Sequence, residues 1–210
     1  MMNTAKWLGL MILTSVIVTA CTGSGGFDYS RIEDDMHGAI ISPPRKIDDF
    51  SMPSTTGADF SMADQRGKVV LIYFGYLTCP DVCPATFGDL RRVYTEVGAP
   101  KDKVTVVFVT VDPKRDSLEK MGVYLAAFHE DFIGLRTDDE ALQTVMESFG
   151  ARATFVPVNP NEPDGDYSVE HSASIFVIGP DGHLLTQFMY GTPYRDLAHD
   201  MGLIMEEMNR

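Results

Sequence analysis

Apolar residues recur along this chain with two periods, and the switches between them outline the elements. Phe50 and Met52, then Phe60 and Met62 across Gly57, alternate with polar neighbours and predict a short hairpin, followed by a turn at 64–67. The run 68–74 is continuously β-branched and aromatic after Lys68, the pattern of a strand covered on both faces in a parallel sheet, and 104–111 is a second such run. Between them 85–97 carries helical spacing through Phe87, Leu90, Val93, Tyr94 and Val97, closed by Gly98 and Pro100, so the three segments form a β-α-β unit. Asp112-Pro113 ends the second strand. Asp116-Ser117 supplies a cap for a helix through Leu118, Met121, Tyr124, Leu125 and Phe128, and Asp138 or Asp139 opens another through Leu142, Val145, Met146 and Phe149, ended by Gly150. Residues 154–168, with Pro157, Pro160, Pro163 and Gly165, are expected to form a long loop. Strands at 174–178 and 183–190 flank the turn Gly179-Pro180-Asp181-Gly182, and a last amphipathic helix covers 194–208.

The amino-terminal end follows a different logic. Residues 1–20 hold one cation, Lys6, no acid, and an apolar run from Trp7 to Ala20 that is short for a membrane span and suits an export signal. It ends in Val18-Thr19-Ala20-Cys21, which resembles the lipobox of bacterial lipoproteins; Cys21 is then a lipidation site, and the domain lies outside the cytoplasm, anchored to a membrane and facing the periplasm. Residues 21–44, opening Thr22-Gly23-Ser24-Gly25-Gly26 and continuing acidic, are expected to be a flexible tether, and 45–210 the folded domain. Met36-His37 lies in that tether as a pair with no evident role. Loss of residues 1–20 removes Lys6 and no carboxylate, so the net charge moves from −13 to −14. Such a field repels phosphate backbones and excludes nucleic acid as a natural partner, and it leaves membrane contact to the lipid.

Two thiols carry the chemistry. In Phe74-Gly75-Tyr76-Leu77-Thr78-Cys79-Pro80-Asp81-Val82-Cys83-Pro84, Cys79 and Cys83 follow a buried strand and precede a helix. Pro84 lacks an N–H, so the regular helix begins near it, with Cys79 in the preceding turn and Cys83 on the helix, where the amino terminus is expected to lower a thiol pKa. Two cysteines are too few for a disulfide-stapled scaffold, so the pair is a local disulfide, a redox couple or a metal site. The order of elements resembles a thioredoxin-like α/β fold with an amino-terminal β-hairpin and an inserted loop before the strand at 174–178. Thioredoxin-like exchangers separate their thiols by two residues and place a proline before the later strand; here the separation is three, and the corresponding place reads His171-Ser172-Ala173-Ser174. Peroxidase relatives carry a threonine three residues before the attacking cysteine, where this chain has Tyr76 or Pro80.

In that topology His171 faces the thiol loop, and two thiolates with one imidazole suit copper: sulfur favours Cu(I), and nitrogen helps accommodate Cu(II). His129, His183 and His199 have no comparable placement. The thiol run, the strand end Thr110-Val111-Asp112-Pro113 with Arg115-Asp116, and His171 ahead of an apolar strand and Asp181-Gly182 together resemble the SCO/SenC family over about residues 47–208. The resemblance implies a metallochaperone rather than an enzyme. It would bind copper through Cys79, Cys83 and His171 and serve assembly of the binuclear copper A centre of cytochrome c oxidase, with the copper A subunit or another periplasmic copper protein as partner. Leu77 and Phe87 depart from the residues common there, threonine and leucine, and the lipobox departs from members held by a spanning helix. Asp112, Pro113 and Asp116 match the family but are expected to act locally, at a strand end and helix cap, and Asp81 to stabilise its turn. Two other readings stay open: a thiol-disulfide oxidoreductase in which Cys79 and Cys83 reduce the target's copper-ligand cysteines, and a redox or copper sensor.

Overall fold

A computed structural model describes residues 27–98, 100, 102–162 and 165–210; the predicted export signal, Cys21 and the first residues of the predicted tether lie outside the described residues. The frame is a six-stranded sheet. At its centre β4 (Val69–Gly75) runs parallel to β5 (Val104–Thr110), and β5 parallel to the short β6 (Ile133–Leu135). On the other side β4 pairs antiparallel with β9 (Ser174–Ile178), β9 with β10 (His183–Met189), and β10 with the outer strand β1 (Ala39–Lys46), giving the order β1-β10-β9-β4-β5-β6.

Every residue of β4 and β5 is buried, because both faces of the sheet are covered. Val69, Leu71 and Tyr73 point into a core closed by α1 (Val82–Glu96), α2 (Leu118–Ala126) and α4 (Tyr194–Met208). Val70, Ile72 and Phe74 point into a second core closed by α3 (Asp139–Phe149) and the hairpin of β2 (Ser51–Pro53) and β3 (Asp59–Ser61). The first core is organised by Phe87 of α1, whose ring meets those of Tyr73, Phe108, Tyr124, Phe128 and Phe132. α3 ends where Gly150 takes φ 70°, and the β9–β10 turn closes on Gly182 at φ 84°, both positions that favour glycine.

Two expectations need correction. The stretch read as a tether is packed from Tyr29 onward: Tyr29, Ile32 and Met36 are buried, the Tyr29 hydroxyl donates to the Leu185 carbonyl at 2.9 Å, and Arg31 donates to the buried Glu207 at 2.9 Å. Residues 39–44, also placed in the tether, belong to β1. Sparse apolar residues among acids and two prolines hide an element there, and an outer strand tolerates Pro43 and Pro44 because one of its edges needs no ladder. The long loop is largely a ribbon: β7 (Ala153–Pro157) pairs antiparallel with β8 (Tyr167–His171), leaving only its tip irregular. His171 therefore ends β8 rather than opening β9.

Candidate metal centre

Cys79 and Cys83 sit where the chain leaves β4 and enters α1, at the carboxyl edge of the parallel strands. The turn is pinned from below. Leu77 N–H donates to the carboxylate of Asp116 at 3.1 Å, the Thr110 hydroxyl donates to the same oxygen at 2.6 Å, and Asp116 is buried. This corrects the expected role of Asp116 as a helix cap, since Ser117 caps α2 by accepting from Lys120 N–H. Asp81 precedes α1 without a side-chain capping bond. Cys83 is fully buried in the first turn of α1, and a Cβ on Gly75 would stand 2.8 Å from its sulfur, so only glycine fits there. Cys83 N–H donates to Cys79 Sγ at 3.5 Å, and both thiols are free.

His171 reaches this edge from the ribbon. Its Nε2 lies 3.7 Å from Cys83 Sγ, while Nδ1 lies 3.3 Å from the Ser172 carbonyl. With the proton on Nδ1 and donated to that carbonyl, Nε2 keeps its lone pair for a metal. The rings of Tyr73 and Tyr76 stand edge-on to the imidazole at 6.1 and 5.7 Å. Ligand atoms of Cys79, Cys83 and His171 all lie within 4.8 Å of one another, so the three residues named from the sequence converge.

Burial governs the electrostatics. It pushes the Cys83 thiol up to about 12, against the opposing pull of the Tyr76 backbone and the Tyr73 hydroxyl, which donates to Cys83 Sγ at 3.6 Å. The expected lowering by the helix amino terminus is thus overridden at Cys83, because a thiolate loses more by leaving water than a helix end returns. Burial also lowers the pKa of His171, which favours the neutral, ligating imidazole. Tyr73 is raised by burial and stays a hydroxyl donor. The donor set, two sulfurs and one neutral imidazole within 4.8 Å of one another, fits a soft ion such as Cu(I).

Asp112, read from the sequence as acting locally, Arg115 of the same motif, and Tyr167, which no local pattern marked, hold the ribbon in place. Buried Asp112 accepts from the Tyr167 hydroxyl at 2.8 Å and from Arg115 Nε. Arg115 also donates to the Tyr167 carbonyl at 2.8 Å, and its guanidinium lies 3.9 Å from the Tyr167 ring centroid. Asp112 therefore acts beyond its own strand end. The only sequence signal was the motif containing Asp112, Pro113 and Arg115; nothing local pointed to Tyr167. His129 packs on Tyr94 and His183 lies 2.9 Å from Asp181, and neither joins the thiols.

The fold and these donors define a thioredoxin-like α/β domain with a candidate metal-ligating cluster at its sheet edge. The sequence model of the SCO1/SenC family matches residues 39–206, and the chain belongs to that family. It is 32% identical over 171 residues to a Stutzerimonas stutzeri protein named as a candidate copper-binding protein, spanning 80% of this chain and 82% of that one. It is 37% identical over 138 residues to the mitochondrial SCO2 homologue of Bos taurus, covering 64% of this chain but only 50% of the bovine protein. The solved structure of Bradyrhizobium japonicum ScoI with copper bound superposes with a TM-score of 0.67 at 31% identity, over 76% of this chain and 99% of that one.

Proposed function

We propose that this protein is a copper metallochaperone that holds the ion between Cys79, Cys83 and His171 and delivers it to the copper A subunit of cytochrome c oxidase. The observation that carries the reading is the convergence of two free thiols and one imidazole within 4.8 Å, from chain segments 88 residues apart. The copper-bound Bradyrhizobium japonicum ScoI and the Stutzerimonas stutzeri relative support the choice of ion, and membership of the SCO1/SenC family supports the partner. Among the described residues no helix is long and apolar enough to cross a membrane, and attachment through lipid on Cys21 is part of the same proposal.

Cys79 and Cys83 lose their protons as copper binds, so loading releases protons and strengthens as pH rises. The buried sulfur of Cys83 fixes the ion's position, and His171, held by the Ser172 carbonyl, completes a three-donor site. Three donors leave a position open, through which a partner's thiolate enters while Cys79, the less deeply buried cysteine, leaves. Copper titration of the reduced full chain tests this beside Cys79→Ser, Cys83→Ser and His171→Ala. Each variant is expected to lose tight binding, and undiminished affinity in all three would overturn the proposal.

One observation favours reductase chemistry as a second reading: Cys79 is partly exposed at a helix amino end, as an attacking thiol requires. If His171→Ala spares oxidase assembly while both cysteine variants lose it, electron delivery outranks copper delivery.

A further inference from the structure

Away from the thiols, His37 stacks on His199 with ring centroids 4.2 Å apart and planes 6° from parallel, although 162 residues separate them. Each ring has a carboxylate beside it: His37 Nδ1 lies 3.4 Å from Asp196 Oδ1, and His199 Nδ1 lies 3.1 Å from Asp200 Oδ1. Asp196, His199 and Asp200 occupy positions i, i+3 and i+4 of α4, which places them on one helix face. A nitrogen of each ring and a carboxylate oxygen of Asp200 lie within 4.8 Å of one another.

The backbone around His37 is built to hold that position. Asp200, with its side chain only 1% exposed, accepts from His37 N–H at 2.9 Å and from Gly38 N–H at 2.9 Å. Gly38 permits the approach, because a Cβ there would stand 2.2 Å from Thr186 Oγ1. The two imidazoles themselves stay half exposed.

We propose that His37, His199 and Asp200, with Asp196 beside them, form a second metal site that takes a divalent transition ion, Cu(II) foremost. Two imidazoles and carboxylate without sulfur match borderline divalent ions rather than Cu(I), and among these the Irving–Williams order places Cu(II) highest. Binding turns the stacked rings so that one nitrogen of each meets the ion, with water filling the remaining positions. Asp196, beside His37 Nδ1, orients that imidazole, as carboxylates do around metal-bound histidines. The site lies at the same sheet edge as the thiols, since Ala39 pairs with Gln187 of β10, Phe188 with Ile175 of β9, and Ile175 with Tyr73 of β4. Three strand spacings, roughly 14 Å, separate β1 from β4, so the two sites share no residue.

The test uses the untagged full chain carrying Cys79→Ser, Cys83→Ser and His171→Ala, which removes the thiolate site and makes the outcome independent of the proposed chaperone role. Added Cu(II) is expected to bind one ion per chain with nitrogen hyperfine structure in its electron paramagnetic resonance spectrum. His37→Gln or His199→Gln on that background should abolish both signals while circular dichroism stays unchanged. Asp196→Asn should weaken binding about 10- to 100-fold. Substitution of His129 and His183 by Gln should leave it intact. Absence of stoichiometric Cu(II), or binding that survives both His37→Gln and His199→Gln, would overturn the site.

Discussion

The candidate copper site joins two regions of opposite construction. The thiol turn grows from β4, every residue of which is buried, is tied by Asp116 under it, and passes into α1, whose Phe87 sits among five aromatic rings. The β7–β8 ribbon that brings His171 pairs only with itself and is fastened by Asp112, Arg115 and Tyr167. Phe155 and Val158 of the ribbon are exposed, whereas Cys83 is 0% exposed. Cys79 and Cys83 are thus set by the core, while His171 is held by a polar latch and by Val169 of its own strand, buried in the second core. Such a division puts the buried Cys83 sulfur on the more deeply anchored element and the imidazole on the less deeply anchored one.

The comparison makes predictions of graded size. Phe87→Ala empties the centre of the first core and should cost about 3–5 kcal/mol by denaturant unfolding, with copper binding weakened through displaced thiols. If stability fell that far and copper affinity did not change, the thiol turn would be independent of the core. Tyr167→Phe removes one hydrogen bond from the latch, worth about 1 kcal/mol, and should lower copper affinity roughly fivefold without altering the alkylation rate of Cys79. An equal change in both would show that ribbon and thiol turn behave as one unit. The smallest effect concerns pH. Burial lowers the pKa of His171 in the folded protein, so its contribution to stability is whole above the ordinary imidazole value of about 6.5 and is lost as pH falls below it. Unfolding free energies of the copper-free protein and His171→Gln should run parallel above that pH and diverge below it, the unsubstituted protein falling more steeply; parallel curves down to pH 5 would contradict the burial.

The same contrast separates what the chain displays from what it conceals. β4, β5, α1, α3 and α4 announce themselves because their apolar residues keep one period long enough to be seen, and Pro84 marks where regular helix begins. α4 spans Tyr194–Met208 as its periodicity predicts. β1 and the ribbon do not show, since each has few apolar residues, interrupting prolines and partners supplied by distant segments. Cys79 and Cys83 stand out by their spacing, and His171 by its place before an apolar strand. Tyr73 and Tyr167 could not, because their roles consist of contacts: a hydroxyl on Cys83 and a hydroxyl on Asp112.

By itself, then, the sequence determined the α/β order and the position of the thiols at a strand-to-helix turn, both properties of local period and spacing, while His171 joined them through the resemblance to a known family. Only the tertiary structure decided that residues 29–46 are folded, that burial raises rather than lowers the Cys83 pKa, and that His37 meets His199. Those facts depend on which surfaces pack together and how much water they exclude, and no local pattern in the chain records either.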